Sequence, residues 1–319
     1  MAIVGENRLF TTIRCAGDEE WLAQRTKGVG GSDVAAIMGL SPWKTPAQVW
    51  LEKTGRVEPE DISAHPYVQF GNIMEPVVGR LFAERHPDFR VRRVNAICQS
   101  VERPWAQASL DFEVNDGTSW GVLEIKTARS AKDWADGVPY HYLTQVVHYL
   151  DVTGRAYAYV AVFFRDSCEF AEYRVERDEE DIEAVRSAVD DFWLNYVQAD
   201  VMPAVVGTQG EASSLARYWG SGGDDLVEAG ADADELVAAY QDAAERERVA
   251  KADKTAASTR LIELIGGHKG LTTDTSRVTW VRASTRSFDR KRFEAEHPDL
   301  YEQYLRTSVT NRGLRIKDL

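Results

Sequence analysis

The sequence predicts a mixed α/β fold, and three patterns along the chain carry this prediction. First, apolar residues recur with helical period over residues 65–85, and Glu75 lies among them. Second, three strand-like stretches follow at about 89–98, 104–114 and 119–127. Third, a helix at about 138–151 leads into the strands "AYAYVAVFF" and "CEFAEYRVE" and then a helix at about 178–199. This order of elements is typical of a sheet layered between helices.

The region before this core reads as short helices interrupted by glycine and proline. It runs "GDEEWLAQRTKGVGGSDVAAIMGLSPWKTPAQVWLEKTG". Either Ser32 or Asp33 is placed to cap a helix over "VAAIM", because short polar side chains at a helix start accept free backbone N–H groups. Thr45 is a second predicted cap, with Pro46 at the first helical position.

The chain divides into a core and an appendage. We assign residues 1–202 to the α/β domain, and the glycine, serine and acidic residues of 203–232 predict a linker. An alanine-rich, charged helix is expected over about 233–265, and its sparse apolar positions favour a coiled or partner-packed helix. A hairpin, short helices and a basic tail follow. Residues 233–319 therefore form a long helix and a small basic α+β module.

Composition narrows the class of protein. The 319 residues are 44% hydrophobic, as in globular domains. No run approaches the roughly 18 consecutive apolar residues of a membrane span, and the N-terminus shows no basic region followed by an apolar core. The three cysteines are an odd number without paired spacing, which indicates neither a disulfide framework nor a zinc site. We expect a cytoplasmic protein that does not act at a membrane.

Charge is distributed unevenly along the chain. The formal net charge of −13 argues against nonspecific coating of nucleic acid, which usually requires a broad basic surface. Residues 277–319 hold 10 Lys and Arg against 6 Asp and Glu, a net of +4, so the preceding residues carry −17. A local basic surface within an acidic protein remains compatible with these numbers.

A candidate site lies in "SLDFEVNDGTSWGVLEIKT", residues 109–127. Glu124 and Lys126 are two residues apart, so on a strand they share a face. Asp111 lies before the turn signal "NDG", which predicts an antiparallel neighbouring strand. Two adjacent carboxylates favour a divalent cation between them, and a magnesium site of this kind suits phosphodiester chemistry. The alternative is an ordinary ion pair at a sheet edge, since an acidic residue two places before a lysine is a common pattern.

Four sequence blocks occur in an order that resembles the YqaJ-type viral recombinases, relatives of lambda exonuclease within the PD-(D/E)xK nuclease superfamily. The blocks are "GVGGSDVAAIMGLSPWKTPAQVWLEKTG", "FGNIMEPVVGRLFAE", "ASLDFEV" with "GVLEIKT", and "YLTQVVHYLDVTG". The stretch "VTWVRASTRSFDRKRFEAEHPDLYEQYLRTS" also looks like the tail of longer phage members. The resemblance implies a restriction-endonuclease-like core with a mixed central sheet flanked by helices, followed by a C-terminal appendage.

The resemblance also implies the roles of the central residues. Asp111 and Glu124 match magnesium ligands, with the backbone carbonyl of Ile125 as a further ligand and Mn²⁺ as a substitute metal. Lys126 matches the catalytic lysine. Glu75 matches a helix glutamate that assists metal binding, although it is also placed to pair with Arg80. The proline of the superfamily name is absent beside the aspartate, where "SLD" stands.

Four further residues are assigned through the same resemblance. Gln145 matches a glutamine near the active site, although it also suits a polar helix stripe. Arg25 and Ser32 match residues that hold the 5′-phosphate in lambda exonuclease, and Ser109 matches a serine two places before the metal aspartate. Taken singly, Arg25 reads as a solvated charge and Ser32 as a helix cap, although a helix start also favours anions.

Two pairs of aromatic residues are interpreted as structural. His141 and His148 are seven residues apart with no carboxylate partner on that helix face, which favours packing over DNA contact. Trp43 and Trp50 have the same spacing and are predicted to be core residues rather than platforms for bases.

The leading functional hypothesis is a magnesium-dependent exonuclease that digests one strand of linear duplex DNA from its 5′ end. The 3′ single strand would serve phage-type recombination. The resemblance implies duplex DNA ends as substrate, a phage single-strand annealing protein as partner, a ring-shaped homo-oligomer such as a trimer, and the cytoplasm of a bacterial host. The alternatives are an endonuclease or nickase on the same fold, and a noncatalytic DNA- or protein-binding module.

Overall fold

A computed structural model describes residues 9–220, 225–281, 283–305 and 314–316 of the protein. The chain forms two compact units, Met1–Gly220 and Ser221–Leu319. Within the described ranges, no helix has both the length and the apolar character needed to cross a bilayer.

The first unit consists of helices and strands that follow the predicted order. Its helices are α1 (Asp18–Arg25), α2 (Gly31–Ile37), α3 (Pro46–Lys53), α4 (Pro66–Arg85), α5 (Tyr140–Thr153), α6 (Glu179–Asp191) and α7 (Gln209–Trp219). Its strands are β1 (Phe10–Ile13), β2 (Arg90–Arg93), β3 (Ile97–Ser100), β4 (Gln107–Ser109), β5 (Phe112–Asn115), β6 (Trp120–Ala128), β7 (Tyr157–Phe164) and β8 (Glu169–Glu176).

The central sheet has five strands in the order β2-β5-β6-β7-β8. Strands β6 and β7 are parallel and are joined through α5, whereas the other neighbours are antiparallel. A second, antiparallel sheet has the order β1-β3-β4. The predicted strands at 89–98 and 104–114 are each two strands, because the chain crosses between the two sheets near Val94 and Leu110.

Helices cover both faces of the central sheet. On one face, Val78 and Phe82 of α4 pack with Leu123 and Ile125 of β6. On the other face, Val146 and Leu150 of α5 pack in a cluster that includes Val122 of β6. Successive strand residues point to opposite faces. The predicted class, a mixed α/β fold with a central mixed sheet flanked by helices, is confirmed.

Local capping signals explain several helix boundaries. Thr45 caps α3 as predicted: its hydroxyl accepts the N–H of Gln48, and Pro46 occupies the first turn. The expected cap of α2 is wrong, because Gly30 is the N-cap. Asp33 lies one turn inside, and its carboxylate accepts the backbone N–H of Gly30 over 2.9 Å.

The predicted linker at 203–232 is wrong in its first half. Helix α7 forms within it and packs on α3. The hydroxyl of Thr45 donates to the buried carboxylate of Glu211 over 2.6 Å, and the same carboxylate accepts the N–H groups of Val206 and Gly207. Residues 206–219 are therefore ordered despite their linker-like composition, because the buried Glu211 carboxylate binds Thr45 and the backbone before α7.

The second unit begins with a single long helix. Helix α8 (Ala231–Ile265) is followed by the hairpin β9 (Gly270–Thr272) and β10 (Arg277–Thr279) and by the short helices α9 (Arg290–Glu296) and α10 (Pro298–Tyr304). At 35 residues, α8 is about 52 Å long. Ile265 is its buried residue, and its other described side chains are largely exposed. The predicted basic tail lies mostly outside the described residues.

We expect residues 1–220 to fold without the rest of the chain. Both apolar clusters that cover the central sheet consist of residues from this unit. A protein truncated after Gly220 should retain cooperative unfolding in urea. Its midpoint should be close to the midpoint at which the same unit unfolds in the full chain. A truncated chain that shows no cooperative transition would mean that Ser221–Leu319 belongs to the same folding unit.

Candidate active site

Strand β6 places Glu124 and Lys126 side by side. They share the face of Val122, which is the face covered by α5. The ammonium Nζ of Lys126 lies 2.7 Å from Oε1 of Glu124. The Glu124 side chain is 3% exposed. The predicted pair is thus a buried ion pair, unlike a solvated pair at a sheet edge.

Helix α5 supplies the third member of this cluster. The amide of Gln145 donates to Oε1 of Glu124 over 2.7 Å, and its carbonyl oxygen accepts from Nζ of Lys126 over 3.1 Å. The same amide donates to the hydroxyl of Tyr149, one helical turn on, over 2.8 Å. Gln145 therefore fixes the relative orientation of the lysine and the glutamate.

The β5–β6 hairpin brings Asp111 to the site. Phe112 pairs with Leu123, so Asp111 lies opposite Glu124 in the antiparallel register. The turn is the predicted "NDG" sequence, in which Asp116 accepts two backbone N–H groups and Gly117 has φ of 94°. Oδ2 of Asp111 accepts the backbone N–H of Ile125 over 2.8 Å. The two carboxylates and the amine are therefore brought together as the sequence predicts.

Burial and like charge perturb the acids of this site. Burial raises the pKa of Asp111 well above its usual value, and the neighbouring Glu124 charge raises it further. Burial also raises the pKa of Glu124, although Lys126 opposes this shift. Burial alone would lower the pKa of Lys126, but the Glu124 and Asp111 charges outweigh it and raise the pKa. Two buried carboxyl groups therefore share Lys126, and ionising both of them is unfavourable without a further cation.

These residues fit a divalent cation. Oε2 of Glu124 is buried and has no hydrogen-bond partner among the described residues. An acceptor of this kind is costly to bury unless it binds a cation or water. Magnesium typically uses one or two carboxylates together with waters and phosphate oxygens, so Asp111 and Glu124 suffice as its protein ligands.

Glu75 does not complete a three-carboxylate group. Across the described ranges, no three His, Cys, Asp or Glu side chains are gathered closely enough to hold a metal ion. The carboxylate of Glu75 lies 2.7 Å from the guanidinium of Arg93 on β2, so the ion pair considered with Arg80 is wrong. Its charge still raises the pKa of Asp111. Its role in metal binding stays a prediction, as does that of the Ile125 carbonyl.

Arg25 and Ser32 form a polar pair at the start of α2. Nη2 of Arg25 donates to the Ser32 hydroxyl over 2.6 Å, and the guanidinium lies 4.6 Å from the ring centre of Trp21. The exposed Ser32 thus accepts a hydrogen bond from Arg25, the residue with which it is grouped in the sequence analysis. Ser109 is half-buried at the end of β4, where it pairs with Ile97. Phosphate binding by all three stays a prediction.

Two glycines between Arg25 and Ser32 make tight contacts with neighbouring segments. A Cβ on Gly31 would lie 2.5 Å from the ring of Tyr149 and 2.8 Å from Cγ of Gln145. A Cβ on Gly28 would lie 2.5 Å from the carbonyl oxygen of Trp105. Only glycine permits such contact. Ser32 therefore follows directly after Gly31, which packs on Gln145. Gln145 in turn makes hydrogen bonds with Glu124 and Lys126.

Sequence reasoning missed a buried ion pair beneath Arg25. Nζ of Lys53 lies 2.6 Å from Oδ2 of Asp33 and donates to the backbone carbonyl of Arg25 over 2.8 Å. Burial opposes ionisation of Asp33, but the Lys53 and Arg25 charges overcome it and lower the pKa to about 2. The capping-box spacing of Gly30 and Asp33 is a sequence signal for a structural role of Asp33. No sequence signal indicates that Lys53, at the end of α3, pairs with it.

The structure decides between the readings of the aromatic pairs. His148 is fully buried, and its Nε2 lies 2.9 Å from the Gln107 carbonyl oxygen, which suits a structural role. Trp50 is buried, and its indole donates to the Tyr196 carbonyl. The core prediction for Trp43 is wrong, because its side chain lies in the loop before α3 and is exposed. The spacing to Trp50 does not apply there, since only Trp50 is in the helix.

Comparison with known proteins finds a family that resembles part of this chain. Residues 20–156 match the model of the YqaJ-like viral recombinase domain. The chain is 36% identical over 206 residues to the uncharacterized protein YqaJ of Bacillus subtilis (strain 168). This match spans 63% of each protein, so the chain covers less than two thirds of that relative's length.

Two solved structures are also similar. An alkaline exonuclease (LHK-Exo) from Laribacter hongkongensis is 22% identical with a TM-score of 0.48, and the match covers 57% of this chain and 94% of that one. A phage-related exonuclease from Haemophilus somnus 129PT is 13% identical with a TM-score of 0.41, and the match covers 54% and 95% of the two chains.

The acid-lysine cluster lies within the part of the chain that is similar to a viral recombinase domain. Residues 20–156 are similar to the YqaJ-like viral recombinase domain family. The resemblance inferred from the four sequence blocks is confirmed.

Proposed function

We propose that this protein is a magnesium-dependent deoxyribonuclease that digests linear duplex DNA from the 5′ end. The observation that supports it most is the buried cluster of Asp111, Glu124 and Lys126, whose two adjacent carboxyl groups and unpaired Glu124 oxygen suit a hard cation. A salt bridge needed only for stability would not require a second buried carboxyl group with a raised pKa beside it. The family of residues 20–156 and the names of the similar exonucleases agree with a nuclease role.

A bound magnesium ion would supply positive charge to the scissile phosphate and would acidify a water for attack. The protein's own contribution begins with Asp111 and Glu124, which lie opposite each other across β5 and β6. They would hold the cation, and the backbone N–H of Ile125 orients the aspartate. This arrangement is preformed, so little reorganisation accompanies the reaction.

Lys126 acts as a cation in this proposal. Its pKa is raised, so the amine is protonated at neutral pH and donates hydrogen bonds rather than accepting a proton. Placed 2.7 Å from Glu124 and held by Gln145, it is suited to stabilise negative charge on the phosphate or to orient the attacking water. Gln145 is a positioning residue, because it fixes Lys126 and Glu124 through one amide group.

Preference for an end rests on Arg25 and Ser32. A terminal phosphate carries up to two negative charges, and an arginine paired with a hydroxyl offers it charge-assisted hydrogen bonds. The glycine contacts of Gly31 place this pair next to the residues that bind Glu124 and Lys126. Anchoring the terminal phosphate would hold the first nucleotides in line for hydrolysis.

The test uses duplexes labelled at one end, with either a 5′-phosphate or a 5′-hydroxyl, and closed circular DNA in magnesium buffer. We expect stepwise release of nucleotides from 5′-phosphorylated ends, slower release from hydroxyl ends, and intact circles. Equal rates on both ends together with cutting of circles would favour an endonuclease. Binding of DNA with no cleavage of any substrate would favour a noncatalytic binding module.

Replacing Arg25 with alanine should slow digestion of 5′-phosphorylated duplex at least about tenfold, equivalent to about 1.4 kcal/mol. The loss of the anchor should also narrow the difference between phosphate and hydroxyl ends. Initial rates on both substrates measure this effect. Arg14, an exposed arginine after β1, provides a matched control, since Arg14→Ala removes the same charge elsewhere. An Arg25→Ala protein that keeps the wild-type preference for phosphate ends would contradict the anchor.

The biological setting follows from the same proposal. Digestion from 5′ ends would leave a 3′ single strand, which suits recombination with a phage single-strand annealing protein in the cytoplasm of a bacterial host. A ring-shaped homo-oligomer, such as a trimer, would enclose the duplex and favour processive digestion. Sedimentation of the protein with and without duplex DNA measures the oligomeric state.

A further inference from the structure

One large aromatic side chain beside the candidate active site is mostly exposed to solvent. Trp43 is 65% exposed, although tryptophan is usually well buried. It lies between α2 and α3, where the Ser41 hydroxyl accepts the backbone N–H groups of Trp43 and Lys44. The loop is therefore held in a defined turn that presents the indole to solvent.

Trp43 belongs to a continuous aromatic surface that leads to the catalytic lysine. Its ring centre lies 4.9 Å from that of His141, with an edge-to-face angle of 89°, and 6.2 Å from that of Tyr142. The Tyr142 ring centre is in turn 4.8 Å from Nζ of Lys126. We call Trp43, His141 and Tyr142 the aromatic ledge. It begins at the candidate active site and ends at an exposed indole.

The ledge is supported from below. The Tyr142 ring stacks on Trp134 at 5.6 Å with an angle of 28°, and Trp134 is buried. Tyr142 is therefore fixed in orientation by the core, and Trp43 and His141 rest against it. A rigid surface of this kind binds a planar partner with little loss of side-chain entropy.

We propose that the aromatic ledge is a base-stacking subsite, in which the exposed face of Trp43 stacks on one base of the DNA strand whose phosphate lies at Lys126. This inference rests on the proposed nuclease function and adds a contact to the base. Every base has a π-face, so stacking on an aromatic side chain is tolerant of sequence, as a digesting enzyme requires. The acidic protein gains from it an uncharged contact that salt does not screen.

The experiment combines protein variants with missing bases. Dissociation constants are measured by fluorescence anisotropy for wild type, Trp43→Ala and Trp43→Phe, in calcium buffer so that no turnover is expected. The ligands are 5′-phosphorylated duplexes, either intact or with one abasic residue at one of the first few 5′ nucleotides. Trp219→Ala provides a control, because Trp219 is similarly exposed but lies on α7.

On the intact duplex, Trp43→Ala should raise Kd about tenfold, and Trp43→Phe should recover most of the loss. At one abasic position the wild-type Kd should rise to the Trp43→Ala value, and the variant should then be unaffected by the missing base. Trp219→Ala should match wild type throughout. A purely structural role of Trp43 would not depend on which base is missing.

Two results would overturn the subsite: an unchanged Kd for Trp43→Ala, or a loss of the same size on every abasic duplex. Cleavage by wild type in magnesium is measured in parallel. Absence of cleavage with a base-dependent effect of Trp43 would refute the nuclease function and retain the subsite. Normal cleavage without a base-dependent effect of Trp43 would refute the subsite and support the nuclease function. The two failures are therefore distinguishable.

Discussion

Replacing Lys126 with alanine is expected to lower the rate of DNA cleavage by roughly a hundredfold or more, equivalent to about 2.7 kcal/mol of barrier. Lys126 places its ammonium 2.7 Å from Glu124, and its raised pKa keeps that charge in place. The initial rate of nucleotide release from 5′-phosphorylated duplex measures the effect. The loss should appear mainly in kcat, since the charge stabilises the transition state more than the bound substrate.

Lys132→Ala is the matched control for this substitution. Lys132 is an exposed lysine six residues further along the chain, in the short 3₁₀ turn after β6. The Lys132→Ala protein should cleave DNA at the wild-type rate. Thermal unfolding should show that Lys126→Ala remains folded, with magnesium still raising its midpoint. A folded Lys126→Ala protein that cleaves as fast as wild type would refute the catalytic role of the lysine.

Removal of divalent cations should abolish cleavage altogether. Asp111 and Glu124 are buried, and the Glu124 charge raises the electrostatic cost of ionising Asp111, so a cation is needed for both to be charged. Chelation should reduce the rate to background, and magnesium or manganese should restore it. Calcium should bind without supporting turnover, since its longer and more variable coordination suits the reaction poorly.

Binding of the cation has a readout that does not need activity. A ligand present at 100 times its Kd stabilises the native state by about 2.7 kcal/mol, so magnesium should raise the unfolding midpoint of wild type. Asp111→Asn and Glu124→Gln should each lose most of this rise. In chelator, Asp111→Asn should be at least as stable as wild type, because it removes a like charge beside Glu124, whereas Glu124→Gln should be less stable, because it leaves the buried Lys126 without its ion-pair partner. Full cleavage in chelator would end the two-carboxylate proposal.

Much of the fold is encoded in local patterns. The period of 65–85 corresponds to α4, and the two runs at 156–164 and 168–176 correspond to β7 and β8. The prediction placed three strands between α4 and α5, where five occur, because the switch between two sheets depends on pairing partners rather than on local sequence. For the same reason the composition of residues 203–232 predicts a linker where α7 forms. Its order depends on a bond between Thr45 and Glu211, which are 166 residues apart.

The candidate site divides in the same way. The sequence by itself determined the cluster of Asp111, Glu124 and Lys126, because strand alternation and one short hairpin bring these residues together whatever else packs on them. Only the tertiary structure decided that Arg93 binds Glu75, that Lys53 supports Arg25 through Asp33, and that Gly31 packs on Gln145. It also placed Trp43 in solvent beside Tyr142 instead of in the core. The physical reason is that periodicity records which face of an element is buried, whereas contacts between elements depend on how their surfaces fit together.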